Sequence, residues 1–157
     1  MSDHFYKATV TWRGNQGTGT SAYRAYSRNH EITVEGKPTI PASSDPHFRG
    51  DKERYNPEEM LVASISSCHM LWYLHLCSEA GVVVVNYIDN ATGIMAETAD
   101  GSGRFTEITL HPAITVRDPS MIDKANSLHH KANQLCFIAN SVNFPILHQP
   151  ICKAQNA

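Results

Sequence analysis

The chain is poor in the features that would mark it as secreted, membrane-spanning or nucleic-acid-binding. It holds four Cys in 157 residues, too few for a disulfide scaffold. Its 13 Lys and Arg against 15 Asp and Glu give a net charge of −2, without the basic surplus that nucleic acid or an anionic membrane surface would want. No apolar run approaches the roughly 18 uninterrupted residues of a membrane span. The opening Met-Ser-Asp-His-Phe-Tyr-Lys lacks the basic-then-apolar layout of a signal peptide. Gly14, Gly17 and Gly19 are followed by no Gly-Lys-Ser/Thr and by no helix start, so they are not a phosphate loop. No linker, repeat or low-complexity stretch divides the chain. What is present is 41% hydrophobic residues, enough for a core. A single domain over 1–157 in the cytoplasm, with reduced thiols, is the expectation.

Periodicity orders the elements. Phe5 to Trp12 alternates and reads as a strand, and Ser21 to Val34 reads as a second, clearest at Glu31 to Val34. Pro38 to Tyr55 has little period and reads as a long loop. Asn56-Pro57-Glu58-Glu59 is a helix start: Asn56 caps, Pro57 suits the first position and Glu59 completes a capping box. Gly81 is its natural stop. The helix over 57–80 would be roughly 36 Å long. Its apolar residues lie on nearly every side, which suits a central, buried helix and favours burial by a partner subunit. Strand territory follows at 82–98 and 104–117, then a helix over 120–139, then a short strand in 143–151. This order gives an α+β fold.

Each of the two helices carries a thiol, Cys68 in the middle of the first and Cys136 in the second. Free Cys is among the most buried residue types, so each also fits a small core residue. Glu58 lies ten residues before Cys68, nearly three turns away. It cannot touch that sulfur from a straight helix, but it could hold a cation that reaches across, or simply favour the helix N-terminus.

The Asn56-Pro57-Glu58-Glu59-Met60-Leu61 start, Cys68 ten residues after Glu58, the Glu79-Ala80-Gly81 end and the later Cys136 resemble the OsmC/Ohr family of osmotically inducible and organic-hydroperoxide-resistance proteins. The likeness covers the chain in element order. It implies two curved antiparallel sheets around two long Cys-bearing helices, in an intertwined homodimer. It implies a thiol peroxidase for organic hydroperoxides, with Cys68 as the attacking thiolate, Cys136 as the resolving thiol and a Cys68–Cys136 disulfide. An external dithiol, a lipoyl group or a small thiol, would re-reduce it. Neither cofactor nor metal is implied. Glu58 matches the Glu that pairs with an activating Arg. For that Arg, Arg49 is the first candidate, Arg13 the second and Arg54 the third. A guanidinium near a buried thiol offsets the desolvation that would otherwise keep the proton on it. His69, His75 and Phe137 depart from the better-known family pattern.

The nine His leave rival readings open. His69, His75, His129 and His130 share two helices with Cys68 and Cys136, which permits a Cys/His zinc site or a hydrolase with Cys68 as nucleophile and His129 as base. A non-enzymatic binder of apolar ligands is the third alternative. Cys77 reads as core and Cys152 as an exposed residue near the terminus.

Overall fold

The computed structural model describes residues 1–156. They fall into two compact units, residues 1–61 and residue 62 onward.

The first unit is built on an antiparallel sheet in the order β1 (Thr9–Trp12), β2 (His30–Thr33), β3 (Ile40–Ala42). The strand expected over 21–34 forms only at its end. Before it, the Arg28 guanidinium lies 4.4 Å and 4.0 Å from the centres of the Tyr23 and Tyr26 rings, which keeps this stretch folded on itself. The long loop expected over 38–55 is also corrected. It contains β3 and a 3-10 turn, Pro46–Phe48, whose start is capped by the Asp45 carboxylate accepting from the His47 N–H at 2.7 Å.

Helix α1 (Pro57–Glu79) begins and ends where its caps dictate. The Glu59 N–H donates to Asn56 Oδ1 at 2.8 Å, and the Asn56 N–H donates to Glu59 Oε2 at 3.2 Å, a closed capping box. At the other end Gly81 takes φ 72°, and the Val82 N–H reaches back to the Cys77 carbonyl at 2.9 Å. This Schellman arrangement needs a residue without a Cβ penalty at the left-handed position. By length and composition α1 is apolar enough to cross a membrane. In this fold its buried residues recur every fourth position, at Ile65, His69, Tyr73 and Cys77, and form one core-facing stripe.

Beyond α1 come β4 (Val84–Asp89), β5 (Thr92–Glu97), β6 (Gly103–Leu110), β7 (Pro112–Val116), α2 (Ile122–Leu135), β8 (Ile146–His148) and β9 (Ile151–Ala154). They make two mixed sheets, β4-β7-β9 and β5-β6-β8. The α+β architecture is as expected, and only the antiparallel pairing of its two sheets is corrected. The described residues hold three sheets, and the pairs β6/β8 and β7/β9 are parallel. The stretches expected as strand at 82–98, 104–117 and 143–151 each give two strands, the last running on to Ala154. Asp89 causes one break, because its carboxylate accepts from the His111 N–H at 2.7 Å between β6 and β7. The core of this unit packs Tyr73 and Cys77 of α1, Val82, Ile114 and Val116 of β7, and Ala125 and Ala132 of α2.

The helix expected over 120–139 is shorter. Asp118 caps a 3-10 turn at Pro119–Met121, α2 follows, and Cys136 closes it in an extended conformation with ψ 109°. Asn140 Nδ2 donates to the Gln134 carbonyl at 3.0 Å and takes up one of the acceptors freed at this end. Cys136 thus terminates the helix and does not lie within it.

Candidate active site around Cys68 and Cys136

Two pairs of side chains join α1 to α2 and to the segment just after it. Cys68 is half-buried, and beside it lies Cys136, which is fully buried. Neither is in a disulfide. Burial pushes the Cys136 thiol up to about 11, and the adjacent Cys68 thiol pushes in the same direction. The Ala139 N–H, donating to Cys136 Sγ at 3.4 Å, opposes this only in part. Cys136 therefore carries its proton at neutral pH. One turn after Cys68, the Trp72 ring meets Phe137 edge-on at 5.5 Å, so each thiol has an aromatic neighbour on its own segment.

The second pair is His69 and His129, each 1% exposed. His69 Nε2 and His129 Nδ1 are 3.0 Å apart and share one hydrogen. Tyr73 stacks on His129, 4.0 Å between ring centres, and its hydroxyl donates to the Ala125 carbonyl at 3.1 Å. From β8, His148 brings its ring to 5.8 Å from His69 and 6.2 Å from His129. Burial drives His69 down to about 4, reinforced by His148 and opposed by Asp89. Burial drives His129 down to about 3, with His69 and His148 adding to it. All three imidazoles are neutral at physiological pH, His148 being shifted down as well, chiefly by burial.

This arrangement does not support the zinc reading. The inner nitrogens of His69 and His129 are spent on each other, so their outer nitrogens point apart. Among the described residues no group of three or more His, Cys, Asp or Glu is arranged to hold a metal ion. The hydrolase reading fares no better: His129 Nδ1 faces His69 and its Nε2 has no hydrogen-bond partner among the described residues, so neither nitrogen contacts Cys68. His75 and His130 are exposed, and His130 pairs with Gln134 at 3.0 Å.

The remaining expected site residues lie in the first unit. Arg13 is held by Glu31 at 3.0 Å and Arg54 by Asp51 at 3.5 Å. Arg49 is exposed, caps the 3-10 turn in a left-handed conformation at φ 63°, and forms no ion pair among the described residues. Arg49 and Glu58 are not paired with each other. Glu58 Oε2 is buried without a hydrogen-bond partner among the described residues.

Cys77 is core, as expected. Cys152 is not a terminal exposed residue: it sits on β9, half-buried and packed on the core. Sequence reasoning missed His148, Tyr73 and Asp89. Tyr73 carried a signal, its four-residue spacing from His69 on one helix face. His148 carried none, because a three-residue strand has no period to read.

Residues 50–149 match the family model described as OsmC-like protein. The chain is 33% identical to an OsmC-like protein of unknown function from Vibrio cholerae, with 96% of this chain and 100% of that one covered and a TM-score of 0.84. It is 18% identical to an organic hydroperoxide resistance protein from Elizabethkingia anophelis, with 98% and 100% covered and a TM-score of 0.67. An uncharacterized Bacillus subtilis protein, YmaD, is 24% identical over 90% of this chain and 89% of its own length. With the capped α1, the thiol pair and the paired mixed sheets, these matches show that the chain belongs to the OsmC-like protein family.

Proposed function

We propose that the protein is a thiol-dependent peroxidase that reduces organic hydroperoxides to alcohols, as part of hydroperoxide resistance. The observation that carries this reading is the unequal thiol pair: Cys68 half-buried, next to Cys136, fully buried and held protonated. Only a thiolate attacks an O–O bond, so the accessible Cys68 is the first nucleophile. Its sulfur takes the outer peroxide oxygen, the O–O bond breaks, and the alcohol leaves with a proton. The resulting Cys68 sulfenic acid condenses with the Cys136 thiol, forming the S–S bond and releasing water. An external dithiol, a lipoyl group or a small thiol, returns both cysteines to thiols.

Arg49 is the cation we assign to hold Cys68 as thiolate, with Glu58 orienting it. Arg13 and Arg54 already have carboxylate partners. We assign a homodimer as the working form. The support is apolar surface left open in one chain, including Leu71 at 63% and Phe137 at 67% exposed. Tert-butyl or cumene hydroperoxide with a dithiol should be consumed by the wild type and not by Cys68→Ser. Equal rates in the two would overturn the reading.

A further inference from the structure

The His69–His129 contact is unusual in what it leaves undone. Whichever ring supplies the shared hydrogen, one buried N–H and one buried lone pair are left over, and His69 Nδ1 and His129 Nε2 are both buried without partners among the described residues. Leaving such groups without a protein partner costs stability. The pair nonetheless sits where it joins α1 to α2, and the residue that opens it directly follows Cys68. Seven residues after His129, closing the C-terminal end of α2, comes Cys136. Rotating or lifting α2 away from α1 would separate both pairs together.

We propose that the neutral His69–His129 hydrogen bond is a clamp that holds α2 on α1 and keeps Cys136 within reach of Cys68. Protonation releases it. This rests on the reading of Cys68 and Cys136 as a redox pair, and it assigns His69 and His129 as positioning residues, not as catalytic ones. A first proton keeps the hydrogen bond but buries a charge. A second sets N–H against N–H. The groups facing the pair do little to accommodate that charge. His148 of β8 repels it, His130 stands behind His148, and the Tyr73 hydroxyl is committed to Ala125. Asp89 of β4 is the one group drawing a proton to His69, and its carboxylate already accepts from Ser66 Oγ at 2.5 Å and from the His111 N–H. The consequence is an acid limit on disulfide closure that is separate from attack on peroxide.

The test avoids peroxide. In a Cys77→Ser/Cys152→Ser background, 4,4′-dithiodipyridine should release thiopyridone in two phases. In the first, the Cys68 thiolate attacks the reagent disulfide and forms a mixed disulfide. In the second, the Cys136 thiolate attacks the Cys68 sulfur, forms the Cys68–Cys136 bond and expels the second thiopyridone. The amide pair His69→Gln/His129→Asn places hydrogen-bonding atoms at the same Nε2 and Nδ1 positions but cannot take up a proton there. At pH 7.5 its second phase should match the parent's within about twofold, and at pH 4.5 the parent should close at least about tenfold more slowly than the amide pair. The fall in Cys136 thiolate is common to both and cancels. A parent-to-variant ratio that is the same at both pH values overturns the clamp. Should the amide pair not fold, the parent alone decides. Thiolate loss gives about one decade per pH unit; a steeper fall below pH 6 supports the clamp, and a slope of one decade overturns it. Normal closure in a protein that consumes no hydroperoxide would defeat the peroxidase reading and leave the clamp standing.

Discussion

The Tyr73 ring lies nearly parallel to the His129 imidazole, 10° from coplanar, while its hydroxyl bonds the backbone of α2 one turn earlier, at Ala125. One side chain of α1 thus grips α2 by a face and by an edge. Tyr73→Phe keeps the stacking and loses the hydroxyl bond. It should cost about 1 kcal/mol, read as a lower urea midpoint at unchanged slope. Tyr73→Ala, which also empties the core, should cost about 3–5 kcal/mol.

Acid should destabilise the fold through the buried histidines. Their folded values, about 4 for His69 and about 3 for His129, lie below the ordinary 6.5, so the unfolded chain binds more protons as pH drops. The stability they contribute is complete above 6.5 and declines as pH falls from there toward the folded values. Each histidine should remove up to about 1.4 kcal/mol per pH unit in that window. Urea midpoints at several pH values check this. The decline should flatten in His69→Gln/His129→Asn, and an equal decline in that variant would place the acid sensitivity elsewhere.

The thiols should react in a fixed order. With Cys136 pushed up to about 11, iodoacetamide at pH 7.5 should label Cys68 before Cys136 by on the order of 100-fold, resolved by peptide mass mapping. In Cys136→Ser, one equivalent of hydroperoxide should leave a sulfenic acid at Cys68 that dimedone captures. Dimedone adduct at Cys136 in the wild type would reverse the assignment.

Alkylation also identifies the cation. Arg49→Ala should slow labelling of Cys68 at pH 7 by about tenfold, while Arg13→Ala and Arg54→Ala leave it unchanged. Glu58→Ala should affect peroxide turnover more than labelling, because the guanidinium stays charged but loses its orientation. A drop in Arg13→Ala alone would move the role to the first turn of the chain.

Helix α1 touches β5 through a glycine. A Cβ on Gly93 would meet Phe105 Cε1 at 2.8 Å and Val62 Cγ2 at 2.9 Å. Gly93→Ala should therefore cost about 1–3 kcal/mol by overpacking. A circular-dichroism melt at or above the wild-type midpoint would show that α1 gives way freely there.

The parts legible in the sequence were those fixed by local chemistry. Asn56, Glu59 and Gly81 set both ends of α1 because capping depends on residues within one turn. The end of α2 was not legible, because Ala139 and its neighbours have a helical pattern that the extended backbone of Cys136 overrides. The strand breaks at Asp89 and His111 were hidden too: they depend on a side chain 22 residues away bonding one N–H. Of the candidate site, the two thiols could be named in advance, but the His69–His129–His148 cluster needed β8 to be folded in beside the helices.

The parallel pairings carry a constraint on how this chain can vary. Ile108 faces Ile146 and Ala113 faces Ile151, the same offset of 38 residues on either side of the break. The Gln149 N–H, donating to the Leu110 carbonyl at 2.8 Å, ties the two bends together. Segments 108–116 and 146–154 are thus one ruler laid against another. An insertion at His111 would throw β7 and β9 out of step unless a matching residue entered at Gln149 or Pro150. Relatives that differ in length here should differ at both bends at once, whereas loops such as Ala99–Ser102 are free to lengthen alone.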